Sequence, residues 1–100
     1  MNLTTEITNR LQSLEPTTLE LIDESAHHAG HAGNTGGGHF KLKITSSHFS
    51  GKSQIIRHRL IYQTLADLFS NQKHIPSKIH ALSIVALTPS EAPNEVPSEI

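Results

Sequence analysis

Between Ala26 and Phe40 the chain reads Ala-His-His-Ala-Gly-His-Ala-Gly-Asn-Thr-Gly-Gly-Gly-His-Phe, with nothing suited to a hydrophobic core before Phe40. On either side lies a run of alternating polarity. In Thr18 to Asp23, Leu19 and Leu21 share one side while Glu20 and Ile22 share the other. In His39 to Thr45, Phe40, Leu42 and Ile44 oppose His39, Lys41, Lys43 and Thr45. Such alternation is the period of a half-buried strand. Two strands joined by a loop with no helical crossover pair antiparallel, so the middle of the chain is expected to be a hairpin. The rest of the chain must cover the apolar side of that hairpin.

Two helical patterns are available to do so. Ile7, Leu11 and Leu14 recur at helical spacing from Thr4 to Leu14, with Thr4 or Thr5 as N-cap, and Pro16 closes the segment. A second helix is expected from the N-cap Ser53 to about Phe69, with Ile61, Leu65, Leu68 and Phe69 on its apolar stripe. His58, three residues before Ile61, falls on the core side, and Arg59 faces roughly away. Ile79 to Leu87 reads as a third strand, with His80, Leu82 and Ile84 on one face and Ala81, Ser83 and Val85 on the other. Its apolar character predicts a well-covered place in the sheet. The order is αββαβ, and two helices over one face of a three-stranded mixed sheet is the simplest α+β burial of these faces. The domain is expected over residues 1–88, with 26–38 as a flexible loop. Residues 89–100, carrying Pro89, Pro93, Pro97 and three glutamates, read as a disordered acidic tail.

The loop holds four of the eight histidines and five of the six glycines. His27, His28 and His31 are close enough to converge on one ion, although the same spacing also gives adventitious chelation or a merely solvated loop. His80 and His58, taken singly, read first as packing residues. There is no cysteine, so this chain makes no disulfide and offers no thiolate to a metal. No apolar run has membrane-spanning length and the N-terminus has no signal-peptide pattern, so a cytoplasmic location is the expectation.

Eight Lys and Arg against nine Asp and Glu argue against strong nucleic-acid binding. Lys52, Arg57 and Arg59, with Lys41 and Lys43, could still touch a phosphate backbone. Gly51-Lys52-Ser53 has the ending of a phosphate-binding loop, but Ser46 stands where its first glycine would be, which removes a nucleotide-hydrolase reading. No nucleophile elbow is present. Asp23 and Glu24 are adjacent in a strand, so their side chains diverge and make a poor acid/base pair.

Five blocks, taken in order, resemble the BolA-like family: Asp23-Glu24-Ser25; His39-Phe40; Phe49-Ser50-Gly51-Lys52-Ser53; Arg57-His58-Arg59-Leu60-Ile61-Tyr62; and Ile79-His80-Ala81-Leu82-Ser83-Ile84. The likeness spans roughly Leu3 to Pro89. It implies a KH-like αββαβ domain; separately, no enzymatic activity is expected. It also implies a monothiol glutaredoxin as partner, with which family members share a 2Fe–2S cluster. The sulfur ligands would come from the glutaredoxin cysteine and glutathione, and the isolated chain would hold no cofactor. By position His80 matches the family's histidine ligand. The second ligand falls in the loop, at His28 counting from Asp-Glu-Ser or His31 counting back from His39-Phe40, with His39 left as an interface residue beside Lys41. Imidazole in place of thiolate raises the potential of such a cluster, as in Rieske centres. The alternative implied by the family is a DNA-binding transcriptional regulator using the second helix with Lys52, Arg57 and Arg59, although the single glycine of Phe49–Ser53 lacks the Gly-x-x-Gly clamp of KH domains. Alone, the chain is expected to be a monomer or weak homodimer.

Overall fold

The computed structural model describes residues 2–24, 38–69 and 78–92. Helix α1 spans Leu3–Leu11 and ends in a 3-10 turn, Gln12–Leu14; strands β1 and β2 span Thr18–Asp23 and Gly38–Thr45. After a 3-10 turn at Ser47–Phe49 come α2, Gln54–Thr64, and α3, Ala66–Phe69, and strand β3, Ile79–Leu87, closes the series. The sheet order is β1-β2-β3, with β1 antiparallel and β3 parallel to the central β2. A parallel neighbour requires a crossover, and α2 and α3 lie in that connection.

Each element follows from its local chemistry. Asn2, not Thr4 or Thr5, caps α1: its side-chain oxygen accepts from the Thr5 N–H at 2.8 Å. Ser53 caps α2 as expected, accepting from the Ile56 N–H at 3.3 Å. The expected second helix is broken at Leu65, whose φ of −105° and ψ of 17° leave helical geometry. That turn brings Leu65 and Leu68 together against the sheet, both buried. Ile7, Leu11 and Leu14 from the first helical stretch meet Phe40, Leu42 and Ile44 of β2 in the core, with Phe49 fully enclosed.

Three expectations are corrected here. β3 is an edge strand, not a well-covered one, and Val85 is 49% exposed on its open side. The helices cover one face only, so Ala81, Ser83 and Val85 of β3 face outward. On α2 the residue that extends the buried stripe is Arg57, four before Ile61, while His58 is half-buried. Arg57 is tolerated there because Glu91 pairs with it at 2.6 Å and the Ala86 and Lys52 carbonyls accept from it at 3.0 and 2.9 Å. Ordered contacts therefore extend past Thr88: Glu91 also accepts from the Thr88 N–H at 3.0 Å. The remainder of the tail, 93–100, lies outside the described residues.

Candidate metal centre

The site is built at the point where β2 begins. Gly38 is buried, and a Cβ placed on it would meet Phe40 Cε2 at 2.2 Å, so the ring of Phe40 lies directly over the glycine backbone. With Phe40 locked inward, alternation turns His39 and Lys41 to the uncovered face. The His39 carbonyl accepts from the Glu24 N–H at 2.7 Å, and the Gly38 N–H donates to Lys78 at 2.9 Å, so the strand start is held from both sides.

β3 meets this strand start with a bulge. Gly38 pairs with Ile79 and His39 with Ala81, which leaves His80 as the extra residue. A bulge re-aims side chains, and this one reverses the phase of β3. Ile79 is buried at 1% exposure, and His80 is exposed on the same side as His39. The expectation that His80 shares the face of Leu82 and Ile84 is therefore corrected. Without the bulge, Ile79 or His80 would have to sit on the wrong side.

The two imidazoles stack, with ring centroids 5.0 Å apart and planes 14° from parallel. His39, placed by sequence as an interface residue, thus stands beside the leading ligand candidate. The contact is between residues 41 positions apart in the chain. The signal that pointed to it was the phase break between Ile79 and Leu82, masked because Val85 and Leu87 are also apolar at odd positions.

Other sequence candidates divide clearly. His27, His28 and His31 lie outside the described residues. Among the described residues no group of three or more His, Cys, Asp or Glu is placed to hold a metal ion. The described part of this chain therefore offers two imidazole rings at one sheet end and no sulfur. Lys41 leans towards Glu24 at 3.8 Å on the same face. Below the histidines that face carries a shallow groove of about 230 Å³, floored by the side chains of Ile22, Lys41, Lys43 and Val85.

The basic group expected on the second helix does not form one surface. Arg57 has 6% of its side chain exposed and is committed to Glu91, so it is withdrawn from that set. The hydrogen bonds hold Glu91 well below the usual carboxylate range, at about 2, through Arg57 first and the Thr88 N–H second. Lys52 donates to the His48 carbonyl at 2.8 Å, and Arg59 is exposed.

A sequence model of the family described as BolA-like protein matches residues 11–91. The chain is 48% identical over 86 residues to SufE-like protein 1, chloroplastic/mitochondrial, of Arabidopsis thaliana, covering 80% of this chain and 22% of that protein. It is 40% identical over 99 residues to Protein BOLA1, chloroplastic, of the same plant, covering 94% of this chain and 58% of the relative. BolA-like protein 1 of Mus musculus is 39% identical over 80 residues, 80% of this chain and 53% of the mouse protein. Among solved structures, BolA1 from Arabidopsis thaliana superposes with TM-score 0.74 at 40% identity, covering 93% and 98% of the two chains. The BolA domain of SufE1 from that plant gives 0.70 at 45% identity, covering 92% and 99%. The chain thus spans between about a fifth and three fifths of these curated relatives and nearly the whole of the solved domains.

Proposed function

The chain belongs to the BolA-like family, and on that premise we propose that it binds a monothiol glutaredoxin and holds a 2Fe–2S cluster jointly with it, in cluster assembly or iron regulation. The observation that carries the reading is the stacked pair His39 and His80, two imidazoles set side by side at an accessible sheet end in a chain with no cysteine. The donor set fits half of a mixed nitrogen and sulfur site. His80 would hold the cluster, joined by His39 or by a loop histidine, His28 or His31. Glutaredoxin cysteine and glutathione would supply the sulfur ligands.

Bound in this way, the cluster supplies one-electron and iron–sulfur delivery chemistry. The protein's own contribution is positional. The bulge presents His80 from a strand whose neighbour, Ile79, is anchored in the core, so one ligand is rigid. Imidazole must be deprotonated to ligate, so binding weakens as pH falls through the histidine range. No reaction of its own is assigned to the chain. The relative named SufE-like protein 1 contains a BolA domain within a longer chain, and that name supports an iron–sulfur context.

A cytoplasmic location belongs to this reading as well; no described helix is long and apolar enough to cross a membrane. Fractionation of cells carrying the tagged chain checks it. The DNA-binding alternative has less to rest on, because Arg57 is engaged within the fold.

The test is co-expression with a monothiol glutaredoxin in the presence of glutathione and iron. The joint complex should show a visible circular dichroism spectrum distinct from that of the glutaredoxin alone. His80→Ala should abolish the distinct spectrum while His58→Ala leaves it. A His80→Ala complex with the wild-type spectrum would remove His80 from the site.

A further inference from the structure

β3 is nine residues long, Ile-His-Ala-Leu-Ser-Ile-Val-Ala-Leu, and forms one edge of the sheet. Sheet edges are normally guarded by shortness, proline or charged side chains, because unpaired main chain recruits other strands. β3 contains no proline and no charged residue. The opposite edge, β1, is six residues long and carries Glu20 and Asp23.

The direction of the main chain can be followed residue by residue. The Leu87 carbonyl accepts from the Ser46 N–H at 2.9 Å, just past the end of β2, so alternation turns Ser83 and Val85 towards β2 and Leu82, Ile84 and Ala86 away from it. The Ala86 carbonyl bears this out: Gln54 and Arg57 donate to it from the far side at 3.3 and 3.0 Å. Leu82 and Ile84 have no such cap among the described residues. Their two N–H and two C=O groups form a short open window, closed at one end by the capped Ala86 and at the other by the bulge at His80.

We propose that this window pairs antiparallel with the same window of a second copy, about a two-fold axis through Ser83. In that register Leu82 lies opposite the partner's Ile84, and Ile84 opposite the partner's Leu82. The four main-chain groups of each copy are then all satisfied, which a two-residue window permits in only a few registers. The isologous contact sets no like charges against one another, since the strand has none. Ser83 meets its own counterpart on the open face as a non-hydrogen-bonded pair, where strands approach most closely and a small side chain is needed. Leu82 and Ile84, half-buried on the helix-covered side, continue one core into the other. His80 and the partner's His80 would stand roughly 20 Å apart, at about 3.3 Å per residue. The proposal does not rest on the cluster reading.

Because the chain has no cysteine, Ser83→Cys introduces a single thiol. A non-hydrogen-bonded antiparallel pair has a Cα separation of about 4.5 Å, inside the range of a disulfide. Oxidation of the full chain with diamide should give a covalent dimer of twice 10.9 kDa at least about tenfold faster than Ser13→Cys, an exposed control on the 3-10 turn. In sedimentation equilibrium the wild type should dimerise, and Ser83→Lys, which sets two ammonium groups at the axis, should raise the dissociation constant by about tenfold or more with unchanged far-UV circular dichroism. A wild type that stays monomeric at millimolar concentration, a Ser83→Cys no faster than the control, or a Ser83→Lys that dimerises normally would each overturn the proposal.

Discussion

Gly38→Ala probes the packing that aims His39. A methyl at this position would lie 2.2 Å from Phe40 Cε2 and 2.9 Å from Cζ. Carbon atoms need about 3.5 Å, so ring or strand must retreat by roughly 1.3 Å. Phe40 is 4% exposed and sits among Ile7, Leu11 and the other core residues, so the ring has nowhere to go without moving them. Overpacking of a closed core costs about 1–3 kcal/mol. Loss of glycine freedom in the unfolded chain offsets about 0.4–1 kcal/mol of that. A contact as short as 2.2 Å puts the cost in the upper part of that range, so the net is a loss of about 1–2 kcal/mol, or a melting temperature lower by roughly 4–15 °C for a domain of this size. Urea unfolding followed by circular dichroism measures it. Phe40→Leu shortens the offending ring, so the double variant should be less destabilised than the sum of the singles by about 1 kcal/mol. A Gly38→Ala protein as stable as wild type, or strictly additive singles, would refute the reasoning.

Further outcomes follow from the same contacts. Glu91 is held at about 2 in the fold against an ordinary 4.5, so its pair with Arg57 contributes stability that is complete above pH 4.5 and is lost as pH falls towards 2. Glu91→Gln should therefore lower the melting temperature most at neutral pH, and the difference from wild type should close near pH 2; an equal difference at both would contradict it. Ile61→Ala, at 0% exposure on α2, should cost about 2–5 kcal/mol in urea unfolding. His80→Ala, at an exposed bulge position, should change stability by less than about 0.5 kcal/mol, so any loss of partner binding is read separately from folding.

Much of the fold was legible because it depends on local periodicity. The alternation of Thr18–Asp23 gave β1 with its observed bounds, and Phe40, Leu42 and Ile44 did point inward together. The five motif blocks carried the family, which the comparisons bear out. What escaped depends on long-range contacts. Arg57 looks like a surface cation until Glu91, 34 residues later, is brought against it. The phase of His80 depends on a bulge set by Gly38 in another strand. The edge position of β3 could not be read from its apolar sequence, because an open sheet face and a covered one tolerate the same residues there. For the candidate metal centre, His80 is named only by the family resemblance, whereas its neighbour His39 emerges only when the two strand starts are placed side by side.

Imidazole nitrogen from this chain is proposed to ligate a cluster held with a glutaredoxin. Pulsed electron–nuclear double resonance on the reduced joint complex, with ¹⁵N-histidine incorporated into this chain alone, tests it directly. Directly bound nitrogen should give strong ¹⁵N couplings, one of them missing in His80→Ala. Couplings no larger than those of distant nitrogens, with a cluster spectrum unchanged by His80→Ala, would contradict it.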